Sequence, residues 1–287
     1  MELKDVKTEF KRQVVNAFNS WVYPFIRYSE KGTLLTDKVN RDLLSDPRPE
    51  MELKTLDTVD QSDCRGIDSF DWKNLIIMDA CRHDYYGEVT GREVDSRLAI
   101  GGCSPHFVEK NFSDGDWSDV FYISANPFTS EDNLKNLTGK EDVFHTVWEL
   151  YRTDWDDELG IVPPDSVVEK VKTVQELYPE KRKIIHFMQP HHPFLTEDGE
   201  KRRRGPNFSY VTANNGLVRS KKLVKGYKEN ISIVENRVQE LKEILTGRTI
   251  ATADHGELLG EDGIYGHYEK FHEAELLRKV PHEVIID

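Results

Sequence analysis

Asp254 and His255 stand side by side in the segment Thr252–Glu257, Thr-Ala-Asp-His-Gly-Glu, directly after the apolar run Thr249–Ala251. A carboxylate beside a neutral imidazole is a hard-plus-borderline donor pair for a divalent cation. Far upstream a second acid is delivered in the same way. Leu75-Ile76-Ile77-Met78 reads as a short buried strand and runs into Asp79-Ala80-Cys81-Arg82-His83-Asp84. A third apolar run, Lys183 to Met188, passes through Gln189 into Pro190-His191-His192-Pro193. There two prolines fix φ and hold a pair of histidines on a stiff turn. Strands that each deliver polar groups at their C-terminal ends are how open α/β sheets gather a site along one edge.

Those elements imply an alternating α/β order. Strand Leu75–Met78 leads through a loop to a helix near Ser104–Asn111. Asp119–Ser124 reads as a strand ending at Asn126-Pro127, and Val143 to Tyr151 as partly helical. Pro163-Pro164-Asp165 starts a helix to about Leu177, with Asp165 as its N-cap. Strand Lys183–Phe187 follows. Leu223 to Leu245 is a long helix, with Gly247 as its stop before strand Thr249–Ala253. The first 69 residues differ in kind. Phe10, Val14, Phe18, Trp21, Val22 and Phe25 recur at helical steps over about Asp5 to Tyr23, with Lys4, Lys7, Lys11 and Arg12 interspersed. Such a segment fits packing on the rest of the chain or peripheral contact with an anionic membrane. Ser45 to Glu50 reads as a linker and Thr55 to Phe70 as polar loop, which divides the chain into 1–69 and a catalytic domain at 70–287.

These motifs together resemble the alkaline phosphatase superfamily, most closely its sulfatase-like branch. The resemblance rests on Asp79 with its following Ala-Cys-Arg-His-Asp, and on the loop Gly101-Gly102-Cys103-Ser104-Pro105. It continues through His186 to Pro193, Asp254-His255-Gly256-Glu257, Gly266-His267 and Val280-Pro281, so it spans about Asn74 to Ile286. It implies a mostly parallel central sheet with helices on both faces. It further implies a metal-dependent hydrolase of sulfate or phosphate esters. The alternatives are transfer of a phosphoryl headgroup to a lipid or glycan, and a catalytically weak anion-binding relative.

Carried over residue by residue, the resemblance gives Asp79, the loop nucleophile, Asp254 and His255 as ligands of one divalent ion, Mn²⁺, Zn²⁺ or Ca²⁺. The imidazole tilts the choice away from Ca²⁺, which prefers all-oxygen shells. Two-metal relatives place an aspartate in the middle strand-end loop, where this chain has Gln189. Cys103-Ser104-Pro105 offers two nucleophiles. Cys103 matches the start of the sulfatase Cys-x-Pro-x-Arg element, whose cysteine becomes formylglycine, but its fifth position is Phe107. Ser104 matches the phosphoryl-transferring relatives. His191 and His267 are then left to hold ester oxygens or protonate the leaving group. His192 and Arg82 are further candidates for substrate contact, Ser104 doubles as a metal ligand, and Glu257 is read as support for His255.

Composition narrows the partners. The formal net charge is −13, from 52 acidic against 39 basic residues, which argues against a general nucleic-acid binder. Substrates of the implied kind are anionic and, in some relatives, glycan-linked. Arg202-Arg203-Arg204, near the histidine turn, is a candidate clamp for that charge. No run of 18 apolar residues suggests a membrane span, and Met1 to Lys7 lacks the apolar core of a secretory signal. Cys64, Cys81 and Cys103 are an odd set without metal-ligand spacing. Together these lead to the expectation of a cytoplasmic protein, with membrane association through the N-terminal helix as the variant.

Overall fold

The computed structural model describes residues 52–198, 201–204 and 220–287. The amphipathic segment at 5–23 and the linker at 45–50 lie outside the described residues, as does much of the insert at 196–217. Of the Arg202–Arg204 clamp only the backbone is described.

A seven-stranded sheet forms the centre. Its strands are β1 (Asn74–Met78), β2 (Asp95–Leu98), β3 (Trp117–Ser124), β4 (Phe144–Glu149), β5 (Arg182–Phe187), β8 (Thr249–Thr252) and β11 (Lys279–Ile286). They lie in the order β2-β11-β8-β1-β5-β3-β4. β1 runs parallel to both neighbours, with Ile77 level with His186 of β5 and with Thr252 of β8. β11 runs antiparallel to β8 and to β2. The sheet is thus mostly parallel, as the α/β reading requires. All five residues of β1 are buried, which is why its sequence is a continuous apolar run without alternation.

Helices cover both faces. On one side Ile76, Met78, Ile185 and Phe187 pack under α4 (Pro164–Leu177) and α5 (Ser220–Lys242), with Tyr86 of α1 (His83–Thr90). On the other, Leu75, Ile77, Ile184 and Ile250 meet Phe107 and Phe112 of α2 (Ser104–Phe112) and Leu134 of α3 (Glu131–Thr138). Two hairpins stand off the sheet: β6 (Leu195–Asp198) with β7 (Lys201–Arg204), and β9 (Leu258–Leu259) with β10 (Tyr265–Gly266). Residues 52–58 lie against the second of these, where Asp262 accepts hydrogen bonds from the Lys54 and Thr55 amides.

Several elements differ from the sequence reading. Residues 144–149, expected to be partly helical, form strand β4, as β-branched and aromatic Phe144-His145-Thr146-Val147-Trp148 favours, and only 150–153 turn helical. Pro163, not Asp165, caps α4; Asp165 sits in the first turn and binds Arg237. β2 and β11 were not foreseen, the latter because Pro281 argues against an inner strand. Among the described residues, no helix is long and apolar enough to cross a membrane.

Candidate active site

The turn after β1 is set by an unusual backbone. Ala80 has φ 60, the left-handed region that non-glycine residues rarely adopt. Its surroundings hold it there: its N–H donates to Asp254 Oδ1 (3.0 Å), and its carbonyl accepts from the Tyr227 hydroxyl (2.6 Å). That hydroxyl also accepts from the Arg82 amide, closing the turn. The result points the buried Asp79 carboxylate at the loop that follows β8.

Asp254 and His255 form the opposite wall, both fully buried. His255 places Nδ1 2.7 Å from its neighbour's carbonyl, Gly256 O. A carbonyl only accepts, so Nδ1 carries the hydrogen and Nε2 presents a lone pair. That lone pair lies 3.4 Å from Asp254 Oδ2, 3.7 Å from Asp79 Oδ1 and 3.3 Å from Ser104 Oγ. Residue 256 must be glycine here, because a Cβ would come within 2.0 Å of the Leu276 carbonyl.

Ser104 is the first residue of α2, after Cys103 as N-cap and before Pro105. Gly101 and Gly102 let the loop pass close to the Phe107 amide and the His272 carbonyl. Ser104 donates to Asp254 Oδ2 at 2.8 Å and accepts from Asn126 Nδ2 at 3.0 Å. The same amide donates to Asp79 Oδ2 at 2.7 Å. Asn126, two residues past the end of β3, therefore bridges Ser104 and Asp79. Nothing in the sequence gave it a role, since an Asn before Pro at a strand end is ordinary turn chemistry. Cys103 lies one residue outside this hydrogen-bonded set, and burial pushes its thiol up to about 11.

The donor set fits a divalent cation. Asp79, Asp254 and His255 can bring one atom each within 4.8 Å of one another, and Asp79 Oδ1 is buried without a hydrogen-bond partner. Two buried carboxylates facing one lone pair repel unless a positive charge joins them. Burial, then Asp254 and Glu257, push Asp79 well above the usual aspartate range. Burial acts the same way on Asp254, but His255, His186 and the hydrogen bonds from Ala80 and Ser104 hold it below that range.

A second trio, His191, Glu257 and His267, meets the same distance criterion at the mouth of the site. His267 Nδ1 lies 3.0 Å from Glu257 Oε1. Glu257 thus supports His267, whereas the sequence reading attached it to His255, whose Nδ1 the Gly256 carbonyl already occupies. Burial pulls His267 down, but Glu257 outweighs it and the net shift is upward. Burial pushes His191 down to about 4. The His191 amide donates to Asp79 O, and Asn230 donates to the Pro190, His191 and Pro193 carbonyls, which fastens the histidine turn to α5. His192 stacks beside His191, with ring centroids 4.3 Å apart. Arg82 directs its guanidinium to Asp84, to Glu261 and to the Glu257 carbonyl, which makes it a brace between β1 and the 257–261 loop.

No protein-family model matches the sequence, and no curated protein does. Solved structures that the chain is similar to include the soluble domain of lipooligosaccharide phosphoethanolamine transferase A from Neisseria meningitidis. That likeness has 14% identity and a TM-score of 0.49, over 73% of this chain and 75% of that one. A putative sulfatase from Bacteroides thetaiotaomicron is 12% identical with TM-score 0.45, over 74% of this chain and 63% of that one, slightly under two thirds of its length. A protein in the alkaline phosphatase superfamily from Vibrio parahaemolyticus is 13% identical with TM-score 0.42, over 86% and 69%. These are likenesses of backbone shape. The chemistry assigned to the site rests on its own geometry.

Proposed function

We propose that this protein is a metal-dependent enzyme of the alkaline phosphatase superfamily that cleaves phosphate or sulfate esters with Ser104 as nucleophile. One observation carries the reading: the Ser104 hydroxyl lies within hydrogen-bonding range of Asp254, His255 and Asn126 at once. Asp79, Asp254 and His255 would hold a divalent cation, with the Ser104 oxygen beside them. Such an ion supplies Lewis acidity and lowers the pKa of a hydroxyl next to it.

The chain's own groups divide the remaining work. Ser104 would release its proton to solvent, its Oγ would form the new bond to phosphorus or sulfur, and the bond to the leaving oxygen would break. Asn126 Nδ2, whose two hydrogens go to Asp79 and Ser104, would orient the serine hydroxyl, and the Ser104 N–H at the start of α2 could hold a nonbridging oxygen of the ester. His267, held in orientation by Glu257, can give its proton to the departing alkoxide. Water then releases the acid from Ser104, or an alcohol takes it; hydrolysis and transfer share the first half and differ only in the acceptor. A directly used serine favours phosphate esters, because Cys103, the residue that formylglycine chemistry requires, stands outside the cluster.

The test is a substrate screen of metal-loaded protein with phosphate monoesters, phosphodiesters and aryl sulfates, with and without an added alcohol. Ser104→Ala should abolish turnover while Cys103→Ala keeps most of it. An aldehyde at position 103, seen by peptide mass, would overturn the serine assignment and move the substrate to sulfate esters.

A further inference from the structure

Near Asp254 Oδ2, the oxygen that Ser104 also addresses, stands a histidine that the reaction above does not use. His186, on β5, has no exposed surface. Its Nδ1 lies 2.9 Å from the hydroxyl of Tyr122, itself fully buried on β3. Its Nε2 has no hydrogen-bond partner and lies 3.8 Å from Asp254 Oδ2.

A neutral imidazole carries one N–H, and only one of its two placements satisfies this pocket. If Nδ1 held the hydrogen, the Tyr122 O–H would be left without that acceptor, and the Nε2 lone pair would face a carboxylate oxygen in a dry interior. If the Tyr122 O–H donates to Nδ1, the hydrogen resides on Nε2 and its positive end faces Asp254. The second arrangement gives the Tyr122 hydroxyl its acceptor and turns a hydrogen, not a lone pair, toward the carboxylate 3.8 Å away, which is electrostatically the better of the two.

We propose that Tyr122 and His186 form a positioning pair that fixes the Asp254 carboxylate for metal binding, with Tyr122 selecting the tautomer and His186 facing Asp254 with an Nε2–H. The pair rests on the reading above that Asp254 is a metal ligand. It mirrors His255 in one respect: both histidines bring Nε2 near Asp254 Oδ2. The Gly256 carbonyl leaves His255 with a lone pair there, and Tyr122 leaves His186 with a hydrogen. The two imidazoles flank one oxygen with opposite functions, one a ligand and the other a support. Asp254 Oδ1 is meanwhile held by the Ala80 and His255 amides, so the carboxylate is restrained from both ends.

Two measurements test this. In ¹⁵N-histidine-labelled protein without metal, the NMR signals of His186 should report hydrogen on Nε2; hydrogen on Nδ1 would overturn the pair. Separately, Zn²⁺ and Mn²⁺ affinities are measured by chelator competition. Removal of an outer-shell partner typically weakens metal binding by about 10–100-fold, so His186→Leu should fall in that range. His186→Gln, which can still turn an N–H toward Asp254, should recover most of the loss. Tyr122→Phe removes one oxygen, guards against a His186→Leu that fails to fold, and should also weaken binding. Wild-type affinity in both Tyr122→Phe and folded His186→Leu would sink this inference while leaving the metal site standing. Wild-type protein that binds neither ion would sink the metal site as well.

Discussion

The site contains two clusters of similar composition in different surroundings. The inner one, Asp79, Asp254 and His255 with Ser104, is fully buried or nearly so and anchored on the central strands β1 and β8. The outer one, His191, Glu257 and His267, has half-buried histidines and hangs on the turn after β5 and the loops around β9 and β10. In the inner cluster the opposing carboxyl groups need a retained proton or a cation between them to coexist. In the outer one each charge already has a counterpart, since Glu257 pairs with His267. The contrast fits the proposed division, with the inner cluster holding the ion and the outer one meeting substrate.

Removing an inner ligand should break this division most severely. Asp254→Ala is expected to lose both the bound divalent ion and ester turnover, read by metal analysis of purified protein beside activity. Stoichiometric metal in that variant would show that the inner cluster is not the ion's site.

His267→Ala should cost turnover by roughly 10²–10⁴-fold, the usual share of a general acid, while metal content stays near that of the wild type. The loss should shrink for esters with acidic phenol leaving groups, which need no proton. His191→Ala should weaken substrate binding on the same metal background. If either variant empties the inner site, the two clusters act as one; a second equivalent of metal in the wild type that vanishes in these variants would make the outer trio a cation site.

A smaller effect sharpens the electrostatic difference. Asp79 has a folded-state pKa raised above the usual 3.8 by burial and by Asp254, so it retains its proton where the unfolded chain has released it. For such a group, stability is fully present below the unfolded value and is lost as pH rises through the folded one. His186 and His191, both lowered to about 4, contribute in the opposite sense, so the Asp79 share is read against Asp79→Asn. In metal-free protein the melting temperature of the wild type relative to that variant should fall as pH climbs from about 4 toward neutrality, and saturating Zn²⁺ or Mn²⁺ should change the wild-type slope. A slope unchanged by metal would separate the raised Asp79 from the binding site.

The outer cluster has its own support, and its loss should be the mildest. Asn230 accepts from the Leu195 amide in addition to its three donations to the histidine turn. Asn230→Ala leaves those buried groups unpaired and should destabilise the protein by about 1–3 kcal/mol. A raised KM with little change in metal content would mark the turn as a substrate-side element; metal loss without a KM effect would contradict that.

Asp79, Asp254 and His255 were legible because each follows an apolar run, and a buried parallel strand can end in only a few ways. The nucleophile was narrowed to Cys103 or Ser104 by the glycines and the proline around them; the direction of the Ser104 hydroxyl supports the proposed serine, and one-dimensional spacing holds no such information. Asn126 and the Tyr122–His186 pair stayed hidden because they act through positions more than twenty residues away, on strands whose order no local pattern reveals. Glu257 was attached to the wrong histidine for a similar reason: adjacency to His255 in the chain outweighed a partner ten positions on. β1, β3, β5, β8 and α5 were read nearly to their ends, whereas β11 was not read as a strand because of Pro281, and β4 was taken with the short helix that follows it as one segment.

The place of β1 in the sheet governs when this site can assemble. Its two neighbours come from the later part of the chain, so Ser104 meets Asp254 across 150 positions and Ala80 meets it across 174. Contacts of such separation must overcome a large loop-closure entropy before they stabilise anything, so folding of this kind is slow. During synthesis the first strand of the site would emerge with one or both edges open until β5 and then β8 arrive, a period in which it can pair with other chains. The proposed metal site would gain its affinity only with the last of these arrivals. Premature loading of half a site is thereby avoided, and a truncated product lacking β8 should aggregate, not linger as a weak enzyme.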